Sequence, residues 1–555
     1  MNRNPAGFRI LTAGAYLALL GVYLLYWGHV EYFIDDWFLL RHFREAARGG
    51  PAGAVDLARA AAQNDIYKVF RLQWLSILYG ALVAWLGGYA AKFNFGLLLL
   101  LHGGCAWLLC QGLRRLGLAG GLSFLAGALY LLAPTAHFAL VTYLTTPFLV
   151  FSTFWTLQLL WWSAGRGAAA AGAVYAVAGL FSGEQVFALL WGAPALAVLL
   201  LAPGGRIRPA LTRLVAPWTA MAAALGAYLL WVNRTAVAAS DLERRYEWTW
   251  RQAKSNILLI YSEWRRLSGL TPDAHYRLSA GWPEAALAVL AALIVAGLIW
   301  RWRDDSAAGA VSLWRVLWFA AAAAALAYGP VLWIAGGYAR FRYHYVPSPY
   351  LGLGAAALCW SLGRWLPRPT PALAGALIAG LFTLNAAADL RQCWIPQSGE
   401  HRSLTAALRT LGNVAPGDRL VISGTPFATG TAQHFTMHSS VSANPFAVWA
   451  TGAASLEVAR ELFQQHGRLM FYQTDYQRPL PEEELRKTHV LVRSSPDRWA
   501  SCRFVARRLP DGRFHLLPLK GVEPREGSFS RDQLALAGPV IYFPKSAETH
   551  QAPAW

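Results

Sequence analysis

Long runs of apolar residues recur along the chain from about residue 11 to residue 388. Most of them are long enough to cross the roughly 30 Å hydrocarbon core of a bilayer as a helix. The pattern therefore predicts an α-helical polytopic membrane protein with about 11 transmembrane helices. The first helix ends near residue 28, and the others cover about 94–112, 121–135, 143–163, 168–183, 186–202, 214–232, 283–300, 312–333, 345–363 and 370–388.

The apolar segment 73–91 decides the orientation of every later span. If it lies in the outer interface, the basic turns fall on the cytoplasmic side, and if it crosses, they all fall outside. The positive-inside bias favours the first arrangement. We therefore predict a cytoplasmic N-terminus, a long first outer loop with interfacial helices over residues 29–93, and a C-terminal region outside. The basic turns hold Arg114, Arg115, Arg166, Arg206, Arg208, Arg213, Arg301, Arg303, Arg364 and Arg368.

After Gln392 the apolar runs give way to a polar, proline-containing pattern. Short apolar runs predict strands at 418–424, 489–494 and 513–519, and the stretch Leu456–His466 predicts a helix. This part is large enough for one domain. We expect a transmembrane domain over 1–390 and a soluble, extracytoplasmic mixed α/β domain over 391–555.

Composition narrows the class of protein. The 555 residues are 56% hydrophobic and 14% charged, whereas soluble domains carry about 25% charged residues. This excludes a soluble enzyme and a disordered scaffold. The net charge of +19 is explained by arginines in the cytoplasmic turns, so no nucleic-acid partner is expected. The excess of arginine over lysine and the compact loops fit a bacterial inner-membrane protein.

Two adjacent carboxylates, Asp35 and Asp36, follow the first helix between apolar and aromatic residues. One interpretation is a general base that takes a proton from an acceptor hydroxyl, or a metal ligand. The other is a helix N-cap, in which either carboxylate accepts backbone N–H bonds.

Cationic and aromatic residues form two further candidate stretches. Lys68 and Arg71 are three positions apart and share a helix face, which suits a phosphate at the membrane surface. Arginine binds phosphate oxygens in a planar fork, and histidine can donate to them. Ordinary anchoring to lipid headgroups is the alternative for the first stretch. An aromatic belt with basic side chains that reach the membrane surface is the alternative for the second. Their members are Tyr67, Lys68, Arg71, Arg342, Tyr343, His344 and Tyr345.

His137 and Glu184 lie in turns between apolar spans. Ionisable residues in such surroundings are candidates for function, with a solvated polar turn as the alternative. His102 lies within a span, and an interhelical hydrogen bond is the favoured interpretation. The predicted topology brings Asp35, Asp36 and all of these candidates except His102 to the outer side, which suggests chemistry on a lipid-linked phosphate.

Four stretches resemble the GT-C superfamily of integral-membrane glycosyltransferases, which use polyprenyl- or dolichyl-phosphate sugars. FIDDW is similar to the first-loop acidic motif of that superfamily. YKVFRLQWLSILYG with the following helix, FSGEQVFALLWGAP and RYHYVPSP resemble the branch related to O-mannosyltransferases with tetratricopeptide tails. Gly183 replaces a lysine of that pattern, and the C-terminal region lacks tetratricopeptide periodicity.

The resemblance implies a GT-C-like fold over about 10–390 and an inverting transfer of a sugar outside the cytoplasm. Asp36, or else Asp35, is then the general base, and polyprenyl phosphate is the leaving group. Cations neutralise the phosphate charge that develops during transfer. No second acidic motif accompanies the first, so no metal and no other cofactor is predicted, with a divalent cation left open. The implied phosphate-binding residues are Lys68, Arg71, Arg342 and His344, and the implied sugar or acceptor pocket holds His137, Glu184, Tyr67, Tyr343 and Tyr345.

The expected partners are a polyprenyl-phosphate-linked sugar, membrane lipids, and a glycan, lipid or protein acceptor. The active site and the C-terminal domain are expected in the periplasm. Two other functions stay open: a ligase or polymerase of undecaprenyl-diphosphate glycans, and a lipid or polysaccharide transporter. Transporters usually place ionisable groups near the bilayer midplane within repeated, broken helices, and the sequence shows no such repeat.

Overall fold

The computed structural model describes helical residues up to 410 and short strands beyond them. The chain divides into two compact units, one of residues 1–27 and 42–390 and the other of residues 28–41 and 391–555. The start of the first outer loop therefore groups with the C-terminal part, whereas the sequence pattern assigned all of 29–93 to the transmembrane part. The described residues are 5–31, 40, 43–63, 74–87, 90–133, 177, 184–201, 207–235, 249–267, 281–302, 311–333, 344–366, 369–410, 415–426, 428–429, 434–435, 456–463, 469–471, 481, 483, 488–495, 498–502, 504–508, 511, 514–516, 540–543 and 548–551.

Thirteen α-helices are present among the described residues. They are α1 (Pro5–Leu19), α2 (Gly21–Leu24), α3 (Gly50–Gln63), α4 (Trp74–Gly87), α5 (Ala91–Arg115), α6 (Gly120–Leu132), α7 (Glu184–Leu201), α8 (Ile207–Thr235), α9 (Trp250–Leu267), α10 (Trp282–Arg301), α11 (Leu313–Leu332), α12 (Ser348–Trp365) and α13 (Thr370–Thr410).

Five described segments are long and apolar enough to cross a membrane: Ala6–Leu24, Ala91–Arg115, Trp282–Arg301, Leu313–Leu332 and Thr370–Ala388. Each coincides with a predicted span. In α10 the exposed rings of Trp282 and Trp300 are 18 positions apart, or about 27 Å along the axis, close to the thickness of the hydrocarbon core. Tryptophan is favoured at both membrane interfaces, so α10 has the pattern of a membrane span.

The number of eleven spans stays a prediction. The apolar helices at Gly120–Leu132 and Ala188–Leu201 coincide with predicted spans but are shorter. The helices α8 and α12 also occupy predicted positions, without being among the five segments above. The predicted spans 143–163 and 168–183 lie outside the described residues.

The first helix and α5 run antiparallel. Near the start of α1, the indole N–H of Trp107 donates to the carbonyl of Arg9. Near its end, the rings of Trp27 and Phe95 lie 5.7 Å apart. The chain therefore leaves α2 and enters α5 at the same end of the helices, which fits a segment 73–91 that does not cross.

The helices α3 and α4 lie within this excursion. Ala54 of α3 belongs to the same buried cluster as Ala81 of α4. A Cβ atom on Gly80 would overlap the ring of Phe43, so α4 also packs closely against the residues that precede α3. With 14 residues, α4 is about 21 Å long, which is shorter than the hydrocarbon core.

Close helix contact inside the bundle depends on glycine. A Cβ atom on Gly352 of α12 would lie 2.9 Å from the backbone nitrogen of Tyr130 and 3.0 Å from the carbonyl oxygen of Ala126, both in α6. Glycine thus lets α12 approach the backbone of α6, as small residues do between membrane helices.

The last helix continues past the predicted end of the membrane span, since α13 reaches Thr410. A tight turn follows: Gly417 has φ +85°, and the backbone N–H of Asp418 donates to the carbonyl of Ala415. Proline at 416 and glycine at 417 match the second and third positions of a type II turn. The turn directs the chain into the first strand.

Eleven strands are present among the described residues after the turn. One sheet has six strands in the order β11-β7-β6-β1-β4-β5, and β1 pairs in parallel with both β4 and β6. The strands are β1 (Asp418–Pro426), β2 (Ala428–Thr429), β3 (His434–Phe435), β4 (Leu456–Phe463), β5 (Leu469–Phe471), β6 (Thr488–Ser495), β7 (Arg498–Cys502), β8 (Phe504–Arg508), β9 (Phe514–Leu516), β10 (Val540–Phe543) and β11 (Glu548–Gln551).

One element was predicted wrongly. The stretch Leu456–His466 was expected to be helical, but Leu456–Phe463 forms β4, with Val458 opposite Leu420 of β1. Pairing with a neighbouring strand can override a local helical preference, because strand formation depends on context. The strands predicted at 418–424, 489–494 and 513–519 coincide with β1, β6 and β9.

Candidate functional site

The structure describes three of the predicted site residues: Glu184, His344 and Tyr345. Glu184 begins α7, and its side chain lies outside what the structure describes. His344 and Tyr345 precede α12 and are fully buried. The other predicted site residues lie outside the described residues: Asp35, Asp36, Tyr67, Lys68, Arg71, His137, Arg342 and Tyr343.

Several helix ends next to the predicted site segments meet at one end of the bundle. The hydroxyl of Tyr23, in α2, donates to the carbonyl of Leu131 at the end of α6, 2.8 Å away. At the opposite end, the ring of Trp302, just after α10, contacts Phe8 of α1 and Phe124 of α6. These contacts bring the last turn of α6 and the first turn of α10 to the end where the chain leaves α2.

A buried hydrogen-bond network joins α5, α6 and the turn before α12 at this end. Nδ1 of His102 lies 2.8 Å from the hydroxyl of Tyr345, and Nε2 lies 3.0 Å from the carbonyl of Leu131. The hydroxyl of Tyr130 donates to that of Tyr345, 2.9 Å away. A carbonyl only accepts, so Nε2 carries the proton and Nδ1 accepts from Tyr345. The interhelical hydrogen bond predicted for His102 is therefore confirmed.

This network corrects the interpretation of Tyr345. It was expected to line a sugar or acceptor pocket, but its side chain is completely buried and its hydroxyl bonds to His102 and Tyr130. Burial of a polar group inside a helical bundle requires such partners. The residue therefore holds the turn before α12 against the bundle, and its hydroxyl is engaged inside the protein.

His344, the neighbour of Tyr345, is held by side chains of α11 and α9. Its Nδ1 atom lies 2.9 Å from the hydroxyl of Tyr328 in α11. The indole N–H of Trp264 in α9 donates to the same hydroxyl over 3.1 Å. With its oxygen occupied as an acceptor, Tyr328 can direct its own proton to Nδ1. Arg342 precedes His344 by two residues in the sequence.

The structure adds a buried carboxylate that the sequence did not single out. Glu284, in the first turn of α10, is 2% exposed, and its Oε1 atom accepts a hydrogen bond from the hydroxyl of Tyr26. A glutamate in a first helical turn is usually explained by the helix dipole, so its position in the sequence gave no reason to expect burial. Its hydrogen bond with Tyr26 joins the start of α10 to the end of α2.

The network around His102 lies well inside the N-terminal end of α5. Eight residues separate His102 from Asn94, which corresponds to about 12 Å along the helix. Asn94 is buried, and among the described residues its Oδ1 atom has no hydrogen-bond partner. His102 contacts the end of α6 and the turn before α12. The first two turns of α5 therefore extend past both of these helix ends.

In the second unit, the start of the first outer loop contacts the polar part of α13. Nδ1 of His29 lies 3.0 Å from the Ser398 hydroxyl, and Arg402 donates to the carbonyl of Gly28 over 2.8 Å. These contacts fix the chain a few residues before Asp35 and Asp36. Within the described part of the chain, no group of three or more His, Cys, Asp or Glu side chains could hold a metal ion.

Two solved structures are similar to this chain. AftD, an arabinofuranosyltransferase from mycobacteria, is 15% identical with a TM-score of 0.43, and the match covers 90% of this chain but 36% of AftD. ArnT from Cupriavidus metallidurans, bound to undecaprenyl phosphate, is 14% identical with a TM-score of 0.38, and the match covers 82% of this chain and 86% of ArnT.

No family model matches the sequence, and no curated protein does. Because the two solved structures are only 15% and 14% identical to this chain, its function must be argued from its own residues.

Proposed function

We propose that this protein transfers a sugar from a polyprenyl-phosphate donor to an acceptor hydroxyl on the extracytoplasmic face of the membrane, with inversion. Asp36 or Asp35 removes the proton of the acceptor hydroxyl. As the bond between the sugar and the phosphate breaks, the polyprenyl phosphate departs with its negative charge. Lys68, Arg71 and Arg342 neutralise that charge, and His344 donates a hydrogen bond to the phosphate.

The observation that carries this proposal is the meeting of helix ends around Tyr23, His102 and Tyr345. The chain leaves α2 toward Asp35 and Asp36 at this end, and it leaves α6 toward His137 five residues after Leu132. It returns through Arg342 to the buried His344. In the sequence, Asp35 and Asp36 follow, and Arg342 and His344 precede, helix ends that the hydrogen bonds of Tyr23 and Tyr345 hold in place.

Preorganised cations are well suited to this reaction, because they act where charge develops in the transition state. Arginine adds geometric selectivity, since its guanidinium group binds two phosphate oxygens at once. His137, Glu184, Tyr67 and Tyr343 remain proposed for the sugar or acceptor pocket. Tyr345 is withdrawn from that pocket and assigned to holding the His344 turn in place.

The test uses the full chain in lipid nanodiscs with a panel of polyprenyl-phosphate sugars, and it measures release of polyprenyl phosphate by mass spectrometry. We expect at least one donor to be turned over, and we expect Asp36→Asn or Asp35→Asn to lower the rate by about 100-fold or more, as loss of a general base does. Both substitutions remove charge with little change of volume. Full activity in both variants would contradict the assigned base.

A second result would contradict the whole proposal. If no monophosphate donor is turned over but a diphosphate-linked glycan is, the protein is a ligase or polymerase. Transport of a lipid-linked glycan without any transfer would assign it to the transporters.

A further inference from the structure

Helix α9 has one buried side, which is fixed to the end of α11. Asn256 is completely buried, and its Nδ2 atom donates to the carbonyl oxygens of Val331 and Leu332, at 3.2 and 2.9 Å. The last carbonyls of a helix lack donors within the helix itself. The amide of Asn256 therefore caps α11 from outside, and α9 is attached where that membrane span ends.

The other side of α9 exposes large apolar and aromatic residues. Trp250 is 73% exposed, Tyr261 63%, Leu258 58% and Ile257 43%. The exposed residues of α9 that the structure describes also include Arg251 and Lys254 and no acidic residue. At 100° per residue, these six side chains share one half of the helix surface.

This mixture matches a lipid surface better than it matches a protein interface. Tryptophan and tyrosine are favoured at the level of the headgroups, and the stems of lysine and arginine lie along apolar surface while their charges reach phosphate groups. Interfacial helices combine an apolar side with basic residues in this way. The core of a protein interface is instead poor in charged residues. Helix α9 is not among the described segments that are apolar enough to cross the membrane.

The buried side of α9 also reaches the proposed phosphate-binding stretch. Trp264 donates to the hydroxyl of Tyr328, which lies within hydrogen-bond distance of Nδ1 of His344. One hydroxyl thus connects the helix to the imidazole ring two residues after Arg342. Any tilt or shift of α9 would act on His344 through this connection.

We propose that α9 lies in the outer membrane interface, with its exposed side in contact with bilayer lipid, and that Trp264 and Tyr328 act as positioning residues for His344. This inference rests on the proposed function for the role of His344 in donor binding. Contact with lipid places α9 beside the surface from which a polyprenyl-phosphate donor arrives. The position of His344, and with it the binding of the donor phosphate, then depends on how α9 contacts the lipid.

Lipid contact is tested independently of activity. The full chain with Cys393 and Cys502 replaced by serine retains three buried cysteines, at 105, 110 and 359, and receives one new cysteine carrying an environment-sensitive fluorophore. In nanodiscs of phosphatidylglycerol and phosphatidylcholine, we expect Leu258→Cys to be quenched by nitroxide-labelled lipid at least about twofold more than the exposed control Ala415→Cys. Equal quenching at the two positions would overturn the proposal, as would shielding of Leu258→Cys that is lost when the protein is diluted in the absence of lipid, because that result indicates a protein partner.

Positioning of His344 is tested by kinetics with the donor that the wild-type protein turns over. Tyr328→Phe removes the bridging hydroxyl, and we expect KM for the donor to rise about tenfold while kcat changes less than about twofold. Tyr16→Phe is the matched control, because it also removes a buried hydroxyl but one bonded to the carbonyl of Phe124, and it should leave donor KM unchanged.

If Tyr328→Phe does not fold, Trp264→Phe is measured in the same way, and we expect a smaller rise in donor KM. Unchanged donor KM in the folded variant, or an equal rise in Tyr16→Phe, would overturn the positioning role. Failure of the wild-type protein to turn over any polyprenyl-phosphate sugar would instead overturn the proposed function, and the lipid-quenching result would stand.

Discussion

The hydroxyl of Tyr26 donates a hydrogen bond to the carboxyl group of Glu284, and thereby joins helix ends that are 258 residues apart in sequence. Glu284 is almost completely buried. A carboxylate removed from water needs hydrogen-bond partners, because its charge is otherwise costly to bury. Tyr26 is one such partner, and it links the end of α2 to the start of α10.

Replacement of Tyr26 by phenylalanine should therefore destabilise the protein. We expect a loss of about 1–3 kcal/mol, since the carboxyl group keeps its burial and loses a hydrogen bond. The measurement is thermal unfolding in detergent micelles. Tyr261→Phe serves as the control, because Tyr261 is mostly exposed and its change should leave the unfolding temperature the same. Equal stability of the two variants would show that the bond contributes nothing.

Gly352→Ala and Gly354→Ala should have opposite effects although both lie in α12. At Gly352 the new methyl group meets backbone atoms of Tyr130 and Ala126 at 2.9 and 3.0 Å, whereas at Gly354 the nearest atom is the Cβ of Ala320 at 3.6 Å. We expect Gly352→Ala to destabilise the protein by about 1–3 kcal/mol, because one helix must move. Gly354→Ala should be neutral or stabilising by up to about 1 kcal/mol, because alanine favours a helix. Thermal unfolding of both variants gives the comparison.

The excursion between α2 and α5 should begin and end on one side of the membrane. Exposed positions for single cysteines are Ala52 in α3, Ala90 before α5 and Ser312 before α11. In sealed vesicles, we expect a membrane-impermeant maleimide to label Ala52→Cys and Ala90→Cys from the same side and Ser312→Cys from the other. Labelling of Ala52→Cys and Ala90→Cys from opposite sides would mean that the segment 73–91 crosses.

Arg342→Ala should weaken the use of the donor more than the use of the acceptor. Two residues after Arg342 in the sequence, His344 is anchored by Tyr328. Loss of one charged hydrogen-bond donor to phosphate should raise donor KM by about 10- to 100-fold. Steady-state kinetics with each substrate varied in turn gives the comparison. A larger effect on acceptor KM would exclude the assigned role.

The apolar runs alone predicted the positions of the candidate membrane helices. A segment that crosses the hydrocarbon core must be apolar along its whole length, whichever helices it packs against. The segments around Trp282–Arg301 and Leu313–Leu332 illustrate this. Partners distant in sequence were harder to predict. Leu456–Phe463 has a local pattern that suits a helix, and its pairing with β1 and β5 makes it a strand.

The same limit applies to the candidate site. The stretch from Arg342 to Tyr345 was identified from its composition, yet composition could not tell that Tyr345 faces His102 and Tyr130 within the bundle. Glu284 was missed because a glutamate after a proline at a helix start is common on protein surfaces. Its burial follows from the packing of α10, and no property of the neighbouring residues reports that packing.

The last turn of α6 is completed by side chains from other helices, since Tyr23 and His102 both donate to the carbonyl of Leu131. A helix end is usually closed by the residues that follow it. Here the residues after Ala133 are not needed to satisfy the carbonyl of Leu131. We therefore expect changes in the segment that begins at residue 134 to leave the hydrogen bonds to Leu131 intact.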